Sequence, residues 1–442
     1  MGITLQEYQQ RRREVMARIG QGTAIFRSAP YAVMHNDVEY NFRQESNFYY
    51  LTGFNEPEAV AVLAPHHEEH QFILFVQPKD LEKETWVGYR TGVENAKERY
   101  GADIAFSITE LAAKLPEYTK GSDRLIYHFG NDEKFNNTIL RHYQWLLATR
   151  SKRGTGPTAL VDSNQITNPL RMVKSPAEIE MMRRATAISA QAHLRAMEYT
   201  QPGRYEYQVQ AEIEHTFLQE GAQGFAYPSI VAGGANACVL HYIENGDRLN
   251  DNELLLIDAG AAFKYYNGDI TRTFPVGKTF TPEQKILYEL VLDAQKQAIA
   301  EVIPGNSYRA SHEIAICVIT QGLIDLGLLK GELEELIEKE AYKPFFMHGT
   351  GHWLGLDVHD AGTYKLSADK DDWTILEAGN IITVEPGIYI SPYIKPIEGQ
   401  PEIPERWQGI GIRIEDDVLV TSEGNDILTA AVPKEISDLE NR

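Results

Sequence analysis

The stretch LLLIDAGAAFKYYNGDITRTF, residues 254–274, constrains this chain more than any other. Four aliphatic residues, Leu254 to Ile257, run into Asp258, and Asp269 follows eleven positions later beside Ile270. Short apolar runs bounded by glycine read as buried strands. Residues 260–268 are rich in turn-compatible types, so the two strands are predicted to pair as a hairpin with Asp258 facing Asp269. Two carboxylates that close repel each other, and burying them unpaired is costly. Something cationic has to stand between them, and a metal ion is the economical choice.

The pattern recurs. NIITVEPGIYI and GIGIRIEDDVLVT are again apolar runs, carrying Glu385 and Glu415. The helix starts recur as well. Ser175-Pro176-Ala177-Glu178 has the grammar of a capping box with proline at the first helical position, and so does Thr281-Pro282-Glu283-Gln284. Pro202-Gly203 and Pro304-Gly305 each introduce a second helix, the first with Val209, Ile213 and Phe217 on one face. A duplicated helix-helix-strands unit accounts for this order. The second copy carries a long insert, SPYIKPIEGQPEIPERWQ.

Between the two pairs of acids lies HGTGHWLGLDVHD, with His348, His352 and His359. Four carboxylates and one imidazole make an oxygen-rich donor set. That suits Mn²⁺, with Co²⁺, Fe²⁺ or Zn²⁺ as other occupants. Four acids exceed the needs of one divalent ion; two ions about 3.5–4 Å apart, sharing carboxylates and a hydroxide, balance the charge. Each acid alone has a plainer reading. A strand-end Asp is commonly a turn or cap, and IEDD by itself fits an exposed edge. The ordered combination carries the argument. HGTGH is not the H-E-x-x-H zinc helix, and the chain has neither a G-x-S-x-G elbow nor a P-loop.

The remaining composition excludes more than it selects. A length of 442 residues allows two or three domains. The formal net charge of -21 argues against nucleic acid and against anionic membranes as partners. Cys238 and Cys317 do not form a C-x-x-C pair and read as free thiols. The polar start MGITLQEYQQRRREVMARI predicts an amphipathic helix and lacks the apolar core of a signal peptide, so a cytoplasmic protein is expected. In the first 165 residues, EAVAVLAP and QFILFVQP predict strands of a small α/β domain. A linker-like cluster before Ser175 sets the expected boundary near residue 172, giving domains 1–172 and 173–442.

The motifs IDAGAAFKYYNGDITRTFPV, HGTGHWLGLDVHD, TVEPGIYI and GIRIEDDVLVT together resemble those of the dinuclear metallopeptidases of the pita-bread fold, the family of methionine aminopeptidase, prolidase and aminopeptidase P, with creatinase a metal-free relative. The resemblance covers about residues 173–430. It implies an α/β catalytic domain with two halves related by a pseudo-two-fold, and Asp258, Asp269, His352, Glu385 and Glu415 as ligands of two divalent ions, foremost Mn²⁺. It implies Glu385 as proton shuttle, His359 and His241 at the carbonyl oxygen and tetrahedral intermediate, and His348, Tyr389 and Arg413 around the proline ring. Simpler roles stand beside these: His241 as a surface residue, Tyr389 as core, Arg413 as an ion-pair partner of Glu415, one strand period away.

DVEYNFRQESNFYYLTGFNEPEAV, residues 37–60, is similar to the N-terminal domain of the aminopeptidase P branch. The implied substrates are peptides with an Xaa-Pro N-terminus. Prolidase, which cuts Xaa-Pro dipeptides, is the near alternative, and a non-catalytic binding protein of the same fold the remote one. Relatives form dimers or tetramers in which a neighbour's N-terminal domain can cover the cleft; Asp37, Trp86 and Arg153 stand at equivalent places, and Trp86 is otherwise an anchor of its own domain's core.

Overall fold

The apolar runs of the first third become one sheet. In the computed structural model, which describes residues 2–369, 371–395 and 398–441, the chain divides into two units, 1–170 and 171–442. The first holds strands β1 (Thr23–Arg27), β2 (Val33–His35), β3 (Val38–Glu39), β4 (Val60–Leu63), β5 (Phe72–Val76), β6 (Ile104–Ser107), β7 (Arg124–Ile126) and β8 (Ala159–Val161). Six of them form a mixed sheet in the order β6-β5-β4-β1-β7-β8. β4 and β5 are buried along their whole length, as their unbroken apolar runs predict. The N-terminal helix forms at Leu5–Ile19, capped by Thr4. β2 and β3 pair only with each other, in a hairpin whose residues are all exposed.

In the second unit the duplication is visible in the topology. Both predicted capping boxes are formed, by Ser175 with Glu178 at the head of the helix Pro176–Tyr199 and by Thr281 with Gln284 at the head of Pro282–Ala300. Each is followed by a second helix, Glu206–Gln219 and Ala310–Asp325, and Val209, Ile213 and Phe217 are buried as their spacing predicts. The strands of the first half are β9 (Gly224–Phe225), β10 (Ile230–Gly233), β11 (Leu254–Asp258), β12 (Ala261–Phe263), β13 (Tyr266–Asn267) and β14 (Thr271–Pro275). Those of the second are β15 (Ile381–Val384), β16 (Gly387–Ile390), β17 (Ile410–Arg413), β18 (Asp416–Val420) and β19 (Asn425–Ile427).

Both halves use one device. β11 pairs antiparallel with β14 and β15 with β18, and a two-stranded excursion, β12–β13 or β16–β17, is interposed each time. The hairpin expected between residues 254–260 and 266–274 is therefore not a simple one. The two strands pair, but the chain first turns at Lys264 and Tyr265, both at positive φ, as a two-residue hairpin turn demands. The second-half insert spans the connection from β16 to β17.

Candidate metal and catalytic site

Antiparallel pairing sets the end of one strand beside the start of its partner. Asp258 closes β11 opposite Thr271, and Asp269 lies two residues before Thr271, on the same face. In the second half Val384 pairs with Asp416, so Glu385 just after one strand meets Glu415 just before the other. The same rule, used twice, supplies four acids. Gly260 tightens the first pair: a Cβ there would sit 1.7 Å from the Gly268 carbonyl oxygen, so only glycine lets the chain close behind the two aspartates.

Oxygen and nitrogen atoms of Asp269, His352 and Glu415 converge within 4.8 Å of one another. His352 Nε2 stands 3.4 Å from Asp269 Oδ2 and 3.6 Å from Glu385 Oε1. Its Nδ1 donates to the Trp353 carbonyl at 3.0 Å, which fixes the ring and leaves Nε2 facing the acids. Asp258 is not in the tight group. One of its oxygens accepts from Arg413 Nη2 at 2.6 Å, and the other takes the Tyr227 hydroxyl at 2.6 Å. The same hydroxyl reaches Asp269 Oδ1. Arg413 thus pairs with Asp258 rather than with Glu415, the partner its strand spacing suggested. Glu415 is instead bonded by the Thr271 hydroxyl at 2.6 Å.

The electrostatics are those of a place prepared for positive charge. Burial, then the charges of Asp269, Glu385 and Asp258, push the Glu415 carboxyl far above its ordinary range. Burial raises Glu385 to about 7, against the pull of His352 and Arg413. Burial alone would lower His352, but the hydrogen bond and charge of Asp269 and the charge of Glu385 raise it to about 9. Carboxylates crowded at one imidazole, with too little positive charge, fit a hard divalent metal.

Around this centre a relay is formed. Arg413 Nη1 donates to the Tyr389 hydroxyl at 3.0 Å, and that hydroxyl donates to His348 Nε2 at 2.8 Å. His348 Nδ1 donates to the Gly349 carbonyl while Nε2 accepts from Tyr389, and burial beside Arg413 pushes its pKa down to about 4, so the ring is neutral. Burial raises the Tyr389 hydroxyl to about 12, so it keeps the proton it donates. Tyr389 is therefore buried and hydrogen-bonded to both Arg413 and His348. The His359 ring meets His352 edge-on, with centroids 4.4 Å apart. His241 lies in an exposed loop, near enough to His348 and His359 for its charge to disfavour theirs.

Tyr227 was not singled out from the sequence. A single tyrosine in GFAYPS carries no motif; only the fold, which sets β10 against β11, brings it to both aspartates. Asp417 was also unread. Its Oδ2 accepts from the Asp269 amide at 3.0 Å, behind the site. In the N-terminal unit Trp86 is 84% exposed, which removes the core-anchor reading. Arg153 closes the helix Glu133–Arg153 and bonds the Leu146 carbonyl at 2.9 Å.

Residues 180–422 match the model of metallopeptidase family M24, and residues 8–127 that of the aminopeptidase P N-terminal domain. The chain is 45% identical over 437 residues to the Xaa-Pro aminopeptidase of Haemophilus influenzae, covering 99% of this chain and 96% of that one. It superposes on the solved structure of Pseudomonas aeruginosa aminopeptidase PepP with a TM-score of 0.93 at 43% identity, covering 100% of this chain and 98% of the other. A zinc-substituted Escherichia coli aminopeptidase P in complex with product is similar at a TM-score of 0.92 and 41% identity, with the same coverage.

Proposed function

The chain belongs to metallopeptidase family M24, and from that premise we propose that it is an Xaa-Pro aminopeptidase, releasing the first residue of peptides whose second residue is proline. The observation that carries this reading is the meeting of Asp269, His352 and Glu415 among an excess of carboxylates, within a chain alike over its whole length to such enzymes. In this reading residues 1–172 are the N-terminal domain and 173–442 the catalytic one.

Asp258, Asp269, His352, Glu385 and Glu415 are the residues that would hold two divalent ions. Their oxygen-rich set favours Mn²⁺. Bound there, the metal supplies Lewis-acid activation of water and of the scissile carbonyl. The chain's own groups do the rest. Glu385, 3.6 Å from His352 Nε2, is assigned as the group that accepts and returns a proton. His359 and His241 are assigned to the carbonyl oxygen and the tetrahedral intermediate. A prolyl bond has no N–H to grip and a fixed φ, so recognition must reward the ring itself. Neutral His348 and the buried face of Tyr389, held by Arg413, offer such a wall.

A homodimer or homotetramer also belongs to this reading. It is supported by Leu81, Trp86 and Tyr89 and by the β2–β3 hairpin with Val33 and Met34, apolar groups a lone chain leaves in water. A cytoplasmic location is proposed with it. Among the described residues no helix is long and apolar enough to cross a membrane.

The test strips the protein with chelator, restores Mn²⁺, and offers an Xaa-Pro dipeptide beside an Xaa-Pro-Pro tripeptide. Metal-dependent cleavage of the tripeptide at its first bond is expected. Cleavage of the dipeptide alone would make the enzyme a prolidase. Cleavage of neither, with metal bound and the fold intact, overturns the enzymatic reading.

A further inference from the structure

HGTGHWLGLDVHD contains two acids, Asp357 and Asp360, for which the chemistry above has no use. Asp360 directly follows His359. Its carboxylate is withdrawn from water and gripped by two buried cations. Arg171 Nη2 bonds Oδ1 at 2.5 Å, and Lys174 Nζ bonds Oδ2 at 3.1 Å. The side chains of Lys174 and Asp360 are each 1% exposed and that of Arg171 4%. Arg171 also bonds Asp357 Oδ2 at 2.7 Å, so two cations meet two anions. Burial alone would raise the Asp360 carboxyl; Arg171 and then Lys174 override it and hold the group ionised.

Three charged side chains are costly to bury for stability alone, since apolar residues of the same size serve as well. What such a cluster gives is one fixed geometry. Two further contacts of Asp360 fix the same loop. Its amide donates to the Trp353 carbonyl at 2.8 Å, and its Oδ1 accepts from the Asp357 amide at 3.3 Å. A Cβ at Gly355 would lie 2.2 Å from Asp360 Oδ2, so the glycine of GLD is there to admit the carboxylate. Asn267, two residues before Asp269, bonds the Gly355 and Leu356 carbonyls at 3.0 Å from the other side. The loop between His352 and His359 is thus clamped at its base, and its last histidine stands edge-on to the first.

We propose that Asp360, clamped between Arg171 and Lys174, is a positioning residue that fixes the His359 imidazole relative to His352 and the substrate carbonyl. This rests on the role given to His359 above. Asp360 touches no substrate; it acts through the histidine beside it, as outer-shell carboxylates commonly do.

The experiment compares Asp360→Asn, His359→Ala and the double variant as full-length, Mn²⁺-loaded protein, reading kcat and KM on an Xaa-Pro-Pro tripeptide, bound metal per chain and the thermal midpoint. Asp360→Asn is expected to lower kcat about ten- to a hundredfold, to leave KM and metal content near wild type, and to have no further effect once His359 is alanine. Lys174→Met, which keeps the Arg171 contact, serves if Asp360→Asn fails to fold. It should show a smaller loss of kcat with the same lack of additivity, and Lys174→Arg should restore activity. An unchanged kcat in Asp360→Asn, or an equal loss with and without His359, overturns the proposal. So does loss of bound metal, which would place the effect at His352. If His359→Ala alone leaves kcat unchanged, the assignment of His359 fails and the proposal with it; if His359→Ala is impaired and Asp360→Asn is not, the proposal fails alone.

Discussion

Glu415 and Asp416 stand side by side in the chain, 2% and 0% exposed, and they face opposite ways from the start of β18. Glu415 looks toward Asp269, Glu385 and Asp258, and burial with three other acids drives its carboxyl far up. Asp416 looks toward Arg272 and Lys434, bonded at 2.7 and 2.6 Å, with Thr429 and Gln295 completing its shell. Burial opposes its ionisation too, but Arg272 and Lys434 win and hold it far below the carboxylate range. Two carboxylates one residue apart differ in whether the protein set basic side chains directly against them, as Arg272 and Lys434 are set against Asp416. Where it did, the acid is architecture. Where it did not, burial and neighbouring acids keep the carboxyl hard to ionise.

The largest expected effect comes from breaking the unpaired side. Glu385→Ala should lower turnover on the order of a thousandfold or more while the protein stays folded, checked by peptide assay beside circular dichroism. Asp258→Ala should do the same to activity, with some loss of stability, because Arg413 loses its counter-charge. Near wild-type turnover in either would sink the dinuclear mechanism.

Breaking the paired side should do the reverse. Asp416→Asn leaves Arg272 buried without its charge partner, at a cost of about 3–5 kcal/mol. The denaturation midpoint should fall while the folded fraction keeps its kcat. Parallel losses of kcat and stability would mean that the two faces of β18 are not separable.

How much of this contrast was legible is itself instructive. The four acids, their order and the histidine loop stand out because each is an exception to an apolar pattern, although only Asp258 lies within a strand and the other three lie just off strand ends. The duplicated caps stand out because Ser-Pro-x-Glu and Thr-Pro-x-Gln are local signals. Asp416 is local in nothing: its partner Arg272 lies 144 residues away, and IEDD alone fits an exposed edge as well as a buried one. The turn at Lys264 and Tyr265 was hidden because neither residue is the Asn or Gly that positive φ prefers. Tyr227 and Asp360 were hidden for a third reason. Their roles depend on which segments the fold folds back on one another.

A smaller effect sharpens the comparison from its middle. The single proton of Tyr227 serves Asp258 and Asp269 in turn, so the hydroxyl is a weak substitute for a cation. Tyr227→Phe should weaken metal binding about ten- to a hundredfold, read by calorimetry, and most turnover should return at saturating Mn²⁺. Unchanged metal affinity would leave the tyrosine a packing residue.

The smallest effect is the most discriminating, because the two kinds of acid predict opposite slopes of stability with pH. Asp416, depressed, contributes stability that is present above the ordinary carboxylate pKa and lost only as acid protonates the folded state. Glu385, raised to about 7, works the other way. Folded metal-free protein holds a proton there that the unfolded chain releases near pH 4.3, roughly the value for a free glutamate. Its contribution is therefore whole below that pH and drains away as pH rises toward 7, by at most about 1.4 kcal/mol per pH unit. Buried His193 and His312, pushed down to about 4 and about 3, slope against it, so the quantity to read is the difference between wild type and Glu385→Gln. In chelator the variant should match wild type at pH 5 and exceed it at pH 8. In Mn²⁺ the order at pH 8 should reverse, because wild type alone then gains the full stabilisation of bound metal. A variant that never exceeds wild type in chelator would mean that His352 and Arg413 outweigh burial at Glu385, and the distinction between its kind of acid and that of Asp416 would fall.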